Sequence, residues 1–347
     1  MKKFSSFVFI VFQMTFCSET PPSYEVATRG ELPPSYYDQD YITFRNKRRT
    51  VIQRSSRPLI SAEYNDKKEP ACMYHSSEKD FTHARHRKFD KKATAHAKQH
   101  DSNFYMVAFR NGMFAHDYLW EDSPFAPRFF TPHLASTYVT ALNVNGDIGK
   151  FLIGTDSGVI QFYDAVHNKP RESLLLHTKT ITALDYSQKH RFSISSSLDK
   201  TTVLCDDRQS RGITRIITQT PVTACTFDQV GTHFAIGYQN GETRIYDIRN
   251  TQRKLSGLDS YYKAIGTITC LAFHKAHPFL IIGSRDRFAR LYNMNDKYHC
   301  QLLCHENGPI TSVSCDNRYL RPSMLIGSLN FIRNESEVSK LDLSEFT

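Results

Sequence analysis

Residues 244–250 read R-I-Y-D-I-R-N, and residues 203–209, forty-one positions earlier, read V-L-C-D-D-R-Q. Each is an apolar pair, an Asp, one variable residue and an Arg. Stepping from Asp247, the same position falls on Asp206 and Asp164 upstream and on Asn293 downstream, at intervals of 41, 42 and 46. The residues just before are Tyr163, Cys205, Tyr246 and Tyr292, preceded by Phe162, Leu204, Ile245 and Leu291. Seven positions before each Asp or Asn stands a turn former, Ser157, Asp199, Asn240 or Asp286. Ten positions before stands a small residue, Gly154, Ser196, Gly237 or Gly283.

A second anchor opens each unit. It reads V-T-A-L (139–142), I-T-A-L (181–184), V-T-A-C (222–225), I-T-C-L (268–271) and I-T-S-V (310–313), again about 42 residues apart. Five matches at one period define a repeat. Each unit is a strand opening apolar-Thr-small-apolar, a loop, a strand ending in a small residue, a tight turn, and a strand ending in aromatic-Asp. Apolar residues in these units show no helical period, so a helical solenoid is excluded. A small antiparallel sheet cannot bury both faces alone, and radial stacking of such sheets does so.

At this point the chain resembles the WD-repeat β-propeller family. The unit from His177 to Asp206 is the nearest match. His177 stands four residues before Ile181, where the family has its Gly-His pair, with Leu176 in place of the Gly. S-L-D-K-T-T-V-L-C-D (197–206) is similar to the family's turn-and-strand ending, with Cys205 where Trp is usual. S-R-D-R-F-A-R-L-Y-N (284–293) is the next nearest. The resemblance implies a buried blade network of His177, a hydroxyl from the neighbouring strand, and Asp199, with Asp286 as its counterpart two units on. Two further copies are expected. F-I-R-N (331–334) lies 41 residues after Asn293, and M-V-A-F-R-N-G-M-F-A-H-D (106–117) matches A-I-G-Y-Q-N-G-E-T-R-I-Y-D (235–247), each with an N-G hairpin turn. Six copies fit in the 244 residues from 104 to the end. The expected fold is all-β, a WD-repeat β-propeller of six or seven blades preceded by a largely disordered basic N-terminal segment.

The charge is uneven. Residues 41–100 hold fifteen Lys/Arg against six Asp/Glu, a surplus equal to the whole chain's +9. R-N-K-R-R (45–49) and R-H-R-K-F-D-K-K (85–92) are runs of the kind that act as nuclear-import signals or bind phosphate, or that simply stay solvated. Before them, 19–40 contains P-P-S-Y twice, twelve residues apart. Proline holds such a stretch extended, so Pro21-Pro22 with Tyr24 and Pro33-Pro34 with Tyr36 are similar to the PPxY motif read by WW domains. Residues 1–18 place Lys2 and Lys3 before a dozen mostly apolar residues and Cys17-Ser18. That is the form of a secretory signal, and equally of a buried strand or a misassigned start. It is too short to span a bilayer, and no other segment is long and apolar enough. The domain reading is therefore 1–18 signal-like, 19–40 Pro/Tyr-rich tail, 41–103 basic linker or degenerate blade, and 104–347 propeller.

The eight cysteines include no C-x-x-C pair. Cys205, Cys225, Cys270 and Cys315 sit in apolar strand-like runs, where Cys acts as a small core residue. His299-Cys300 and Cys304-His305 are not read as a zinc site, because a strand points the cysteines one way and the histidines the other. This usage fits a cytoplasmic or nuclear protein, with secretion as the alternative if residues 1–18 are a signal. The sequence contains no phosphate loop, no G-x-S-x-G and no H-E-x-x-H. The expectation is a non-catalytic scaffold or adaptor, without cofactor or metal, that binds proteins. A sharper alternative rests on Asp206 with Arg208 and Asp247 with Arg249. Such consecutive Asp-x-Arg blade ends look like those of substrate receptors of cullin-4 ubiquitin ligases, which implies docking of the ligase adaptor through the Arg forks. A third alternative, nucleic-acid or chromatin association, rests on the basic segment.

Overall fold

The computed structural model describes residues 49–55, 59–64, 70–74, 93–98, 104–109, 114–118, 128–130, 138–144, 150–164, 169–208, 211–257, 264–295, 300–305, 308–315, 322–330 and 335–343. These form 26 strands and no helix. Blade 1 is β4 (Ala93–Lys98), β5 (Phe104–Phe109), β6 (Phe114–Tyr118) and β7 (Arg128–Phe130). Blade 2 is β8 (Val139–Val144), β9 (Lys150–Thr155), β10 (Val159–Asp164) and β11 (Lys169–Leu175). Blade 3 is β12 (Ile181–Ser187), β13 (Phe192–Ser197), β14 (Thr201–Asp206) and β15 (Arg211–Ile217). Blade 4 is β16 (Val222–Phe227), β17 (His233–Tyr238), β18 (Thr243–Asp247) and β19 (Asn250–Gly257). Blade 5 is β20 (Ile268–Phe273), β21 (Phe279–Ser284), β22 (Phe288–Asn293) and β23 (Cys300–His305). Blade 6 joins β24 (Ile310–Cys315), β25 (Ser323–Asn330) and β26 (Glu335–Asp342) to β1 (Arg49–Ser55) from the other end of the chain. A seventh sheet has two strands, β2 (Leu59–Tyr64) and β3 (Pro70–Tyr74).

The first strands of the sheets pack side by side around an axis: β4 on β8, then β12, β16, β20, β24, β2, and back to β4. The result is a closed ring of six four-stranded blades and one two-stranded sheet. Strands β1 to β4 all come from residues 41–103, and the first blade begins at β4, ahead of residue 104. Second strands lie between neighbouring blades, so both their faces are covered. F-L-I-G-T in β9 and H-F-A-I-G-Y in β17 are buried at nearly every position. That is why these strands read as continuous apolar runs rather than alternating ones.

Two features of the repeat serve the joints between blades. In blades 2, 3 and 4 the anchor threonine sends its hydroxyl to the first residue of the next blade. Thr140 donates to the Ile181 carbonyl at 2.7 Å, Thr182 to Val222 at 2.9 Å and Thr223 to Ile268 at 2.7 Å. The small residue ending the second strand leaves room for the first side chain of the next blade. A Cβ on Gly154 would stand 2.7 Å from Ile181 Cγ2, and one on Gly283 would stand 2.7 Å from Ile310 Cγ2. The period therefore encodes a blade-to-blade contact as well as the blade itself.

The turn between second and third strands repeats as well. Its last residue is left-handed in four blades: Gly158 at φ 84°, Lys200 at 70°, Gly241 at 81° and Arg287 at 76°. Blade 6 departs from the expected phase. F-I-R-N was expected to end its third strand, but β25 stops at Asn330 and β26 starts at Glu335, so 331–334 fall between them and outside the described residues. β25 and β26 are each eight residues long, which carries the third strand past the expected stop. By register its closing Asp is Asp342, opposite Ser323, as Asp206 is opposite Phe192.

Thr223→Val keeps the side chain's shape and removes the donor to Ile268. It is expected to cost about 1–3 kcal/mol, seen as a lower midpoint in thermal unfolding. A Cβ at Gly237 meets Ile268 Cγ2 at 2.5 Å, so Gly237→Val is expected to lower the midpoint further. Two unchanged midpoints would remove the joint from the account.

Candidate functional site

The ring has two ends. The upper end carries the turns between second and third strands and the links from one blade to the next. The lower end carries the turns between first and second strands and those that follow the closing Asp. Both ends hold residues singled out in the sequence.

At the upper end of blade 3, the structure brings His177 and Asp199 together. His177 is buried. Its Nδ1 lies 2.7 Å from Thr201 Oγ1 and 3.2 Å from Asp199 Oδ2, and its Nε2 lies 2.8 Å from Ser195 Oγ. Asp199 also accepts from the Thr178 and Thr201 N–H groups, both at 2.9 Å, and from the Thr201 hydroxyl at 2.6 Å. A neutral ring satisfies every atom: Nδ1–H is shared by Thr201 and Asp199, and Nε2 accepts from Ser195. Burial lowers the His177 pKa below its usual range against the pull of Asp199. Asp199 is raised by burial but held below the usual carboxylate range overall, by Thr201, the Thr178 N–H and His177. The network thus exists with Cys205 in the place of Trp. Cys205 is itself buried, and burial pushes its thiol up to about 12.

Blade 5 solves the same problem differently. Ala264 stands where His177 does, since each N–H bonds the glycine carbonyl of the preceding turn, at 3.2 Å and 3.1 Å. Asp286 accepts from the Ile265 N–H at 3.1 Å and is gripped by Arg290, with Nη2 to Oδ2 at 2.6 Å and Nη1 to Oδ1 at 3.1 Å. Both side chains are almost fully buried. Arg290 was not singled out in the sequence, although R-D-R-F-A-R carried the signal. Asp185 was missed too. From the first strand of blade 3 it accepts from Asn143 of blade 2 at 3.1 Å and from the Phe227 N–H of blade 4 at 2.7 Å. Burial pushes its pKa up, against those donors, the Tyr186 N–H and the Thr226 hydroxyl.

At the lower end lie the two Asp-x-Arg endings. Asp206 is buried and accepts one edge of Arg208 side-on, from Nε at 2.9 Å and Nη2 at 3.0 Å, while the Arg208 side chain stays 59% exposed. Asp247 accepts the Arg249 N–H at 2.7 Å, with Arg249 Nε 3.4 Å away and its side chain 77% exposed. The Arg249 N–H, and then its guanidinium, hold Asp247 below the usual carboxylate range. Each Arg is therefore oriented by its own strand's Asp. Asp164 and Asn293 close their strands without an Arg two residues on.

Pro21, Pro22, Tyr24, Pro33, Pro34 and Tyr36, residues 1–18 and the basic run 85–92 lie outside the described residues. Among the described residues no group of His, Cys, Asp or Glu is arranged to hold a metal ion. No helix among them is long and apolar enough to cross a membrane.

Radial four-stranded sheets, aromatic-Asp endings and the His177–Asp199 grip define a WD-repeat β-propeller. A family model described as nucleolar protein 10-like, N-terminal domain, matches residues 84–316, well over half of the chain, and the chain belongs to that family. WD repeat-containing protein fzy-1 of Caenorhabditis elegans is 26% identical over 143 residues, 38% of this chain and 27% of its own length. Eukaryotic translation initiation factor 3 subunit I of Taeniopygia guttata is 21% identical over 167 residues, 44% of this chain and 50% of its own. The chain thus spans a quarter to a half of the curated relatives it matches.

The unfolded chain protonates its imidazole near pH 6.5, before the folded chain protonates His177. The His177 contribution is therefore complete above pH 6.5 and drains away below it. Melting midpoints taken between about pH 7 and about pH 5.5 are expected to fall more steeply for the wild type than for His177→Gln. Equal slopes would mean that the buried ring does not carry the effect.

Proposed function

We propose that the chain is a non-catalytic scaffold that binds proteins through the ends of its propeller and works in the nucleus, with the nucleolus as its station. The observation that carries this reading is the family match across 84–316, to a model described by a nucleolar protein. The basic runs at 45–49 and 85–92 support it, as sequences suited to nuclear import. The same runs favour contact with nucleic-acid phosphate as a secondary activity.

A second reading has its own observation. Arg208 and Arg249 are exposed at one end of neighbouring blades, and their guanidinium groups are oriented by Asp206 and Asp247. Planar forks held this way suit carboxylate and carbonyl acceptors on a cullin-4 ligase adaptor. The PPSY tetrads add a candidate recruitment arm for WW-domain proteins.

One experiment separates these. The tagged full chain is imaged in cells and its bound proteins are identified, beside Arg208→Ala with Arg249→Ala and Tyr24→Ala with Tyr36→Ala. The proposal expects nucleolar signal and a retained set of proteins. Loss of the cullin-4 adaptor with the Arg pair supports the second reading. Its absence from every sample removes that reading, and an exclusively secreted chain with a cleaved N-terminus removes the first.

A further inference from the structure

The lower end of blades 3 and 4 carries a patch for which the ring has no use. The turn between β12 and β13 holds Lys189 and Arg191, both exposed and neither in an ion pair among the described residues. Arg191 sits at φ 56°, a left-handed value that strains a residue with a side chain. The blade 4 turn has its left-handed residue one position earlier in the register, at Gly231 (φ 72°), and Lys200 and Arg287 are left-handed in other turns of the ring, so the conformation belongs to the turns themselves.

The neighbouring turns touch. The Arg191 carbonyl accepts the Asp207 N–H at 2.9 Å, which sets Arg208 beside it. Gly231 lies against Ser187 and His190, so the blade 4 turn abuts the blade 3 turn. That turn exposes Val230 at 45%. The Ile248 N–H bonds the Thr232 carbonyl at 2.9 Å and brings Arg249 alongside.

The local acids are engaged within the fold. Asp206 and Asp247 hold their own arginines, Asp207 accepts the Tyr186 hydroxyl at 3.3 Å, and Asp228 accepts from Thr232 and faces His233 at 2.9 Å. The groups that reach outward are the cations, with the carboxylates less exposed, around one apolar side chain.

We propose that Lys189, Arg191, Arg208, Val230 and Arg249 form a docking surface for an acidic segment of a partner protein, which seats an apolar side chain on Val230 between carboxylates held by the cations. This deepens the scaffold reading and rests on it. Peptide fits better than nucleic acid for two reasons. The patch exposes no Phe, Tyr or Trp on which a base would stack. Asp206, Asp207, Asp228 and Asp247 also offset the charge of the four cations, which weakens a hold on phosphate by charge alone but leaves four donor groups for carboxylate and carbonyl oxygens.

The test uses the full chain and a short fluorescein-labelled peptide of Glu-Asp-Leu repeats, read by anisotropy. The controls are the same peptide with Ser for Leu and an oligouridine RNA of equal length. The proposal expects saturable binding, weakened at least about tenfold by Lys189→Glu with Arg191→Glu, and weakened also by Val230→Ser or by Ser in the peptide. These turn variants should keep the wild-type melting midpoint. No saturable binding, binding indifferent to the charge reversal, or tighter RNA binding lost on that reversal would each overturn it. Affinity capture with wild type and charge-reversed chain separates the two levels. Capture of no protein by the wild type sinks the scaffold reading itself. Unchanged capture by the variant, with no peptide binding, sinks the patch alone.

Discussion

The structure depends on a joint between blades, made of one hydroxyl and one missing side chain. In blades 2, 3 and 4 the anchor threonine donates to the first carbonyl of the next blade. The small residue at the end of the second strand makes room for the next blade's first side chain, Ile181, Ile268 or Ile310. Neither half works within one blade. A four-stranded sheet with its second strand apolar on both faces has no stable existence alone, so every blade needs two neighbours and the row must close.

Closure is the least regular part of the chain. The last blade borrows β1, whose Arg54 bonds the buried Glu337 at 2.7 Å, and the two-stranded β2–β3 sheet fills the gap to the first blade. Within the ring, polar interiors vary while their geometry is kept. An acid at the upper turn needs a donor beneath it. The link into blade 3 supplies His177, and the third strand of blade 5 supplies Arg290. Removing one member of a buried pair like Asp286–Arg290 costs about 3–5 kcal/mol, because it leaves the other charge buried and uncompensated.

What was legible in the sequence follows from this physics. The threonine, the small residue and the closing Asp recur because each meets a fixed contact at a fixed register, and five units could be read from them. The first-blade anchor A-T-A-H (93–96) escaped notice because Ala93 and His96 stand where other blades have large apolar side chains. Thr94 is nonetheless buried in the matching position. β1 was hidden because R-T-V-I-Q-R-S is charged and its partner strand lies nearly three hundred residues away. Arg290 and Asp185 were illegible for another reason. A charged residue in a strand signals exposure by default, and only the packed structure shows which acid or donors it meets. His177 and Asp199 were readable through the spacing of the WD-repeat pattern, which also called for a neighbouring hydroxyl; that Thr201 and Ser195 both supply one was not.

The central claim is a closed ring in which the N-terminal strand completes the last blade. Arg54 and Glu337 are register partners across β1 and β26. The most direct measurement is oxidation of the full chain carrying Arg54→Cys and Glu337→Cys, followed by peptide mapping and thermal unfolding. The account predicts a 54–337 disulfide in nearly every folded molecule and a higher midpoint than in the reduced form. A chain that stays folded but forms no such cross-link would contradict it.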